Sequence, residues 1–138
     1  MYPVNEEVMS LIRLKITDML TYSQAPQMKW VDIDVACRYI LEAGKSGRAW
    51  MYDGYMVLFD IGCDWYSDKP YLIEQLVLRL HESEHGVASA IALLKQMARL
   101  NGCVAVAAGD TQVIGYMTEK YKAAGFSVIG TQLYMEVD

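Results

Sequence analysis

The chain is short of positive charge. Twelve lysines and arginines stand against 17 aspartates and glutamates, for a net charge of −5 and a pI near 5.0. Phosphate backbones select basic faces, so nucleic acid is not the expected partner. A local basic pocket for one phosphate-bearing small molecule stays open. Cysteine is scarce and odd in number: Cys37, Cys63 and Cys103 lie far apart among apolar residues, with no CxxC pair. That excludes a disulfide framework and leads us to expect buried, reduced thiols. The two histidines, His81 and His85, lie four apart beside Glu82 and Glu84. Zinc chemistry of the HExxH kind needs both histidines on one helix with a third ligand. Here the pair precedes a helix, so no metal is expected. No stretch of eighteen apolar residues offers a membrane-spanning helix. The N-terminus carries Glu6 and Glu7 where a secretory leader carries basic residues, so a cytoplasmic location is expected. Gly44-Lys45-Ser46 lacks the upstream glycine and preceding strand of a phosphate-binding P-loop.

What is present suffices for a core. Over 138 residues, 54% are hydrophobic, which favours a single domain spanning 1–138. Helical spacing of Val8, Leu11, Ile12, Ile16 and Met19 predicts a first helix over 5–22, capped by Asn5. Residues 23–27 read as a loop. A second helix over 33–43 is capped by Asp32 or Asp34 and ends at Gly44-Lys45-Ser46-Gly47. Residues 48–52 and 55–61 form strands joined by Asp53-Gly54, a strong two-residue hairpin signal. A polar and aromatic loop, 62–70, follows. The consecutive apolar residues of 71–80 predict a central strand buried on both faces for part of its length. A helix over 88–100, a small-residue strand over 103–107 and a last helix over 113–124 come next. Phe126 to Ile129 and Gln132 to Val137 read as two closing strands. A hairpin feeding a strand-helix-strand crossover requires a mixed sheet covered by helices, an α/β (α+β) fold.

The chain is organised around the junction between the strand at 71–80 and the helix opening near Ala88. The first turn of a helix has amide donors without intrahelical partners, and the helix dipole favours an anion there. Gly86, Ala88, Ser89 and Ala90 keep the walls of the turn low. Composition at this level implies only that a phosphate-bearing ligand fits.

The order and punctuation of these elements resemble the GCN5-related N-acetyltransferase (GNAT) family from Asp32 onward. The family's phosphate turn, Gln/Arg-x-x-Gly-x-Gly/Ala after its fourth strand, is matched best by His85-Gly86-Val87-Ala88-Ser89-Ala90. The following Ile91-Ala92-Leu93-Leu94-Lys95 falls on its small-Leu-Leu pattern. Ala90 fits the motif; His85 and Ala88 depart from it, a histidine where the motif has Gln or Arg and a residue without glycine's φ freedom. Tyr121-Lys122-Ala123-Ala124-Gly125-Phe126 is similar to the family's Tyr-x-x-x-Gly-Phe. The asparagine often found seven residues before that tyrosine is replaced by Ile114, with Asp110 nearby.

The resemblance implies a mixed, mostly antiparallel sheet flanked by helices, with the first strand absent or trimmed. It implies acetyl-CoA as co-substrate, without a metal, and an amine of unknown identity as acceptor. Residues Leu78, Arg79, Leu80, His85, Gly86, Val87, Ala88, Ser89 and Ala90 would hold acetyl-CoA, with amides near 78–80 on a splayed fourth strand polarising the thioester. Tyr121 would protonate the departing thiolate, and Glu74 or Glu82, with Asp60 behind them, would deprotonate the acceptor. Trp30, Trp50, Trp65 and Tyr66 would flank the acceptor. The trimmed form is also similar to short GNAT-like proteins of bacteriophages, some of which are virion-associated components. That gives a second expectation: a GNAT fold without catalysis, serving a structural or interaction role, with self-association or phage-particle partners.

Overall fold

A computed structural model describes residues 1–109 and 116–137. The first residues are not helical: a two-residue strand, β1 (Tyr2–Pro3), pairs antiparallel with Met51 and Trp50, so the first strand is trimmed rather than absent. Asn5 caps α1 (Glu6–Tyr22), its side-chain oxygen accepting from the Glu7 amide at 2.9 Å. A 3₁₀ turn, Pro26–Trp30, occupies part of the expected loop. Asp32, and not Asp34, caps α2 (Ile33–Lys45) by accepting from the amides of Asp34 and Val35. Its charge there also complements the helix dipole.

The hairpin β2 (Ala49–Tyr52) and β3 (Tyr55–Gly62) turns on Asp53 (φ 47) and Gly54 (φ 81). Two consecutive residues at positive φ match the right-handed twist of the flanking strands. β3 pairs antiparallel with β4 (Tyr71–Arg79), and β4 pairs parallel with β5 (Ala105–Ala107), giving the sheet order β1-β2-β3-β4-β5. Between β4 and β5 runs α3 (Val87–Leu100), the crossover, and α4 (Tyr116–Ala123) follows β5.

Alternation along β3 makes two cores. Met56 and Leu58 pack with Val8, Ile12 and Ile16 of α1 and Ile40 of α2. Tyr55, Val57 and Phe59 pack on the opposite face with Ala90, Leu93, Leu94 and Met97 of α3. β4 does not keep a single alternation. Leu58 faces Leu76 while Phe59 faces Glu74, so Gln75 has no residue opposite it and forms a bulge. The extra residue reverses which side the even positions face: Leu72 packs towards α3, whereas Leu76, Leu78 and Leu80 pack towards α1 and α2.

Two expectations fail. No strand forms over 126–137, where Val128, Ile129, Leu133, Met135 and Val137 are exposed. β5 offers only three residues of ladder, too short a template for two further strands. The segment is instead fastened to the 3₁₀ turn: Trp30 Nε1 donates to Tyr134 Oη at 2.7 Å, Tyr134 Oη donates to Glu136, and Lys29 pairs with Glu136. The thiols are all free, but Cys63 is exposed and Cys103 half-buried, so only Cys37 is the buried thiol expected. Cys63 follows the last residue of β3, beyond the cover of either helix layer. The expected start of the last helix at Val113, and Asp110 and Ile114, lie outside the described residues. Among the described residues, no helix is long and apolar enough to cross a membrane.

Candidate active site

β4 and β5 share only three register pairs, Tyr71 with Ala105, Leu72 with Val106 and Ile73 with Ala107. From Glu74 to Arg79, β4 has no β5 partner among the described residues, so the sheet forks. The fork begins beside the Gln75 bulge, which bends the strand where its pairing with β5 ends. Glu74 lies at the crotch, half-buried, and accepts from the Gly109 amide at 3.3 Å.

At the open end of β4 lies a cavity of about 600 Å³, lined by Tyr55 and Arg79 from the sheet, His85 to Ala88 from the helix entry, Ile91, Ala92 and Lys95 from α3, and Lys120, Ala123 and Ala124 from α4. Three of the lining side chains, Arg79, Lys95 and Lys120, are basic, in a chain whose net charge is negative. Lys95 Nζ donates to the Ala124 carbonyl at 3.4 Å, joining the two helices across one wall. α3 opens at this wall, and its N-cap, Gly86, holds φ 67 with ψ −153 and makes no side-chain cap. A Cβ on Gly86 would meet nothing within 4 Å, so glycine is needed there for its backbone angles, not for space. Ala88 stands one residue inside the helix. Asp53 is the single non-glycine at positive φ among the described residues, so Ala88 does not need the φ freedom of the glycine it replaces in the motif.

The turn is held from beneath by the hairpin. The Gly54 carbonyl accepts from the amides of Leu80 and His81 at 2.8 and 3.1 Å. The Asp53 carboxylate accepts from Ser83 Oγ at 2.8 Å, the Glu84 amide at 2.9 Å and the His85 amide at 3.0 Å, and also from Ser89 Oγ. Ser83 Oγ in turn accepts from the Gly86 amide at 2.9 Å. The bond from Ser89, then the Glu84 amide, then Ser83 and the His85 amide hold the Asp53 carboxyl far below the usual carboxylate range, against the opposing effect of desolvation. A group whose folded-state pKa lies below its unfolded one stabilises fully above the unfolded value; that contribution shrinks as pH falls below it and is gone below the depressed value, down to which the folded carboxylate itself stays ionised. The clamp therefore survives acidification that protonates ordinary carboxylates. The Asp-Gly pair reads from sequence as a hairpin turn and nothing more; the only further signal is the density of serine and small residues at 83–89.

The structure distributes the expected site residues unevenly. Arg79, His85, Gly86, Val87 and Ala88 come together on the cavity wall. His85 is exposed, its Nε2 3.9 Å from the Glu84 carboxylate. Leu78 and Leu80 are buried under α1 and α2; Ala90 is buried in the α3 core; Ser89 is buried and turned to Asp53. Tyr121 is only 5% exposed, its ring packed on Phe126 at a centroid distance of 4.9 Å, while its neighbours Lys120, Ala123 and Ala124 line the cavity. Glu82 is exposed on the loop that crosses Gly54. Asp60 lies 3.8 Å from Arg48. None of the large aromatics expected around an acceptor lines this cavity: Trp50 donates to the Gly47 carbonyl, Trp30 is tied to Tyr134, and Trp65 and Tyr66 stack edge to face in the exposed 62–70 loop.

No protein-family model matches the sequence, and no curated protein matches it. The fold has well-matched solved neighbours. A probable acetyltransferase superposes with a TM-score of 0.65 at 13% identity, covering 98% of this chain and 95% of its own. The aminoglycoside N-acetyltransferase AAC(6')-Iy, in complex with CoA, gives 0.64 at 16% identity over 99% and 92%. The ribosomal-protein-alanine N-acetyltransferase from Brucella melitensis biovar Abortus 2308 gives 0.62 at 11% identity over 97% and 96%. At such identities the likeness establishes the fold, a mixed α/β sheet with flanking helices as in the GNAT acetyltransferases.

Proposed function

We propose that the chain is an acetyl-CoA-dependent N-acetyltransferase acting on an amine. The observation that carries this reading is the cavity at the forked end of β4, where Arg79, Lys95 and Lys120 line the same cavity as the opening turn of α3. That donor set suits a ligand with several phosphates: fixed cations around a helix start whose first amides lack intrahelical partners. The neighbour crystallised with CoA supports the same ligand. Acetyl-CoA supplies an acyl carbon activated as a thioester.

In this reading the amides of β4 beyond its last register pair with β5 orient the thioester. Glu74, at the crotch of the fork, takes a proton from the acceptor ammonium; the freed amine forms the C–N bond as the C–S bond breaks. Tyr121 gives a proton to the departing sulfur and regains one from the new amide nitrogen, which sheds its remaining extra hydrogen. Glu82, on the exposed loop, is the weaker candidate for the base. The net negative chain favours a cationic acceptor.

Titration calorimetry tests the ligand. Binding of acetyl-CoA with Kd below about 100 μM is expected, a free energy near −5.5 kcal/mol. Arg79→Glu is expected to weaken it about tenfold or more, since a charge-assisted contact becomes a repulsion. Ala88→Trp is expected to fill the cavity and abolish binding without loss of folding, because Ala88 is exposed whereas Ala90 is buried. No binding at millimolar acetyl-CoA ends this reading. Thiol release in the presence of polyamine, aminoglycoside and peptide amines tests the chemistry. Glu74→Gln and Tyr121→Phe are each expected to lower kcat by about 10²–10⁴-fold, leaving the acetyl-CoA Kd near its starting value. An unchanged kcat removes the residue from its role.

A second reading, a GNAT-fold protein without catalysis in a structural or phage-particle role, draws on the burial of Tyr121. Tight acetyl-CoA binding with no thiol release from any amine favours it.

A further inference from the structure

Asp53 is the polar centre of the molecule that catalysis does not use. Its carboxylate gathers donors from the β4–α3 loop and from the first turn of α3, all 30 to 36 residues further along the chain. The residue itself sits at φ 47, a left-handed conformation that aspartate tolerates better than most side chains. The cavity wall is built by His85, Gly86, Val87 and Ala88, whereas Asp53, Ser83, Glu84 and Ser89 do not line the cavity. The carboxylate therefore grips the turn without itself lining the cavity. It engages the amides of Glu84 and His85, and through Ser83 that of Gly86. The next two amides, of Val87 and Ala88, begin α3 and have no carbonyl partner within the helix.

We propose that Asp53 is a positioning residue for acetyl-CoA: an internal anion in the β2–β3 turn that fixes the β4–α3 turn in its binding geometry before the ligand arrives. This rests on the reading of the cavity as an acetyl-CoA site. The physical gain is preorganisation. A seven-residue loop bearing several unpaired amides would otherwise be ordered at the expense of ligand affinity. The internal carboxylate takes the loop amides of Glu84 and His85 and leaves those of Val87 and Ala88 to the ligand's phosphates. The depressed pKa keeps the grip charged under working conditions.

Amide hydrogen exchange by NMR on the ligand-free protein, combined with acetyl-CoA titration, tests this. In the wild type the Glu84 and His85 amides are expected to be protected. In Asp53→Asn they are expected to exchange at least about tenfold faster, while the β3 amides of Val57 and Phe59 keep their protection. The same variant is expected to raise the acetyl-CoA Kd and KM about tenfold and leave kcat and the amine KM unchanged, a split that general loss of structure does not produce. Ser89→Ala, which removes one donor and keeps the carboxylate, is expected to move both readouts in the same direction by about two- to fivefold, and serves where Asp53→Asn does not fold. Unprotected Glu84 and His85 amides in the wild type, or an unchanged acetyl-CoA Kd in Asp53→Asn, overturns the proposal. Failure of the wild type to bind acetyl-CoA overturns the proposed function instead, and the exchange data still decide whether Asp53 sets the turn.

Discussion

Gly54→Ala is expected to destabilise the protein by about 2–4 kcal/mol and to loosen the β4–α3 turn. Two independent costs add. Gly54 holds φ 81, and a side chain there carries strain of roughly 1–2 kcal/mol. Its Cβ would also lie 2.6 Å from the Glu82 carbonyl oxygen and 2.8 Å from that of His81, both backbone atoms that cannot swing aside. The loop must lift, and lifting it strains the bonds from Leu80 and His81 to the Gly54 carbonyl. Gly47→Ala separates the two costs. Gly47 holds φ 79, but its Cβ would meet nothing within 4 Å, so that variant should lose only about 1 kcal/mol. Urea denaturation of the two variants reads the difference directly. Equal losses would show that the contact between hairpin and loop carries no energy. The acetyl-CoA affinity should fall in Gly54→Ala and stay unchanged in Gly47→Ala.

Phe59→Ala is expected to cost about 3–5 kcal/mol, a large share of the roughly 5–15 kcal/mol that holds a domain of this size together. Phe59 is fully buried between the sheet and α3, and lies opposite Glu74, beside the bulge that opens the fork. Its loss leaves a cavity beneath the helix that presents the anion site. Ile73→Ala, on the neighbouring strand but 41% exposed, should change stability by less than about 1 kcal/mol. Thermal melting with and without acetyl-CoA tests both variants. A Phe59→Ala protein as stable as the wild type would contradict the assignment of this core.

Much of the frame was legible from local chemistry. Asn5 and Asp32 announced two helix starts because a side-chain acceptor ahead of an apolar period satisfies orphan amides at short range. Asp53-Gly54 announced the hairpin because few pairs accept two consecutive positive φ values. The apolar run of 55–61 after Asp53-Gly54 announced the partner strand of the hairpin. The run from His85 to Ala90 announced the helix entry, and the cavity lies against its first four residues. The closing strands misled for a related reason. Residues 126–137 carry the apolar content of strands, but a strand is defined by its partner, and β5 offers too short an edge.

The sequence by itself determined the order of the main helices and strands from α1 to β5, the Asn5 cap, the hairpin and the position of the turn that opens α3, since each follows from interactions within a few residues. Tertiary structure alone decided the rest. Gln75 carries no mark of a bulge; the extra residue is set by pairing with β3 across the sheet, and it divides Leu72 from Leu76, Leu78 and Leu80 between two cores. Nothing local distinguishes Arg79, Lys95 and Lys120 from other surface cations until the fork and two helices bring them around one cavity. Asp53 shows the limit most clearly. Its place in the turn follows from its neighbours in sequence, but its grip on Ser83, Glu84, His85 and Ser89 joins segments thirty or more residues apart, and only the folded sheet brings that carboxylate beneath those donors.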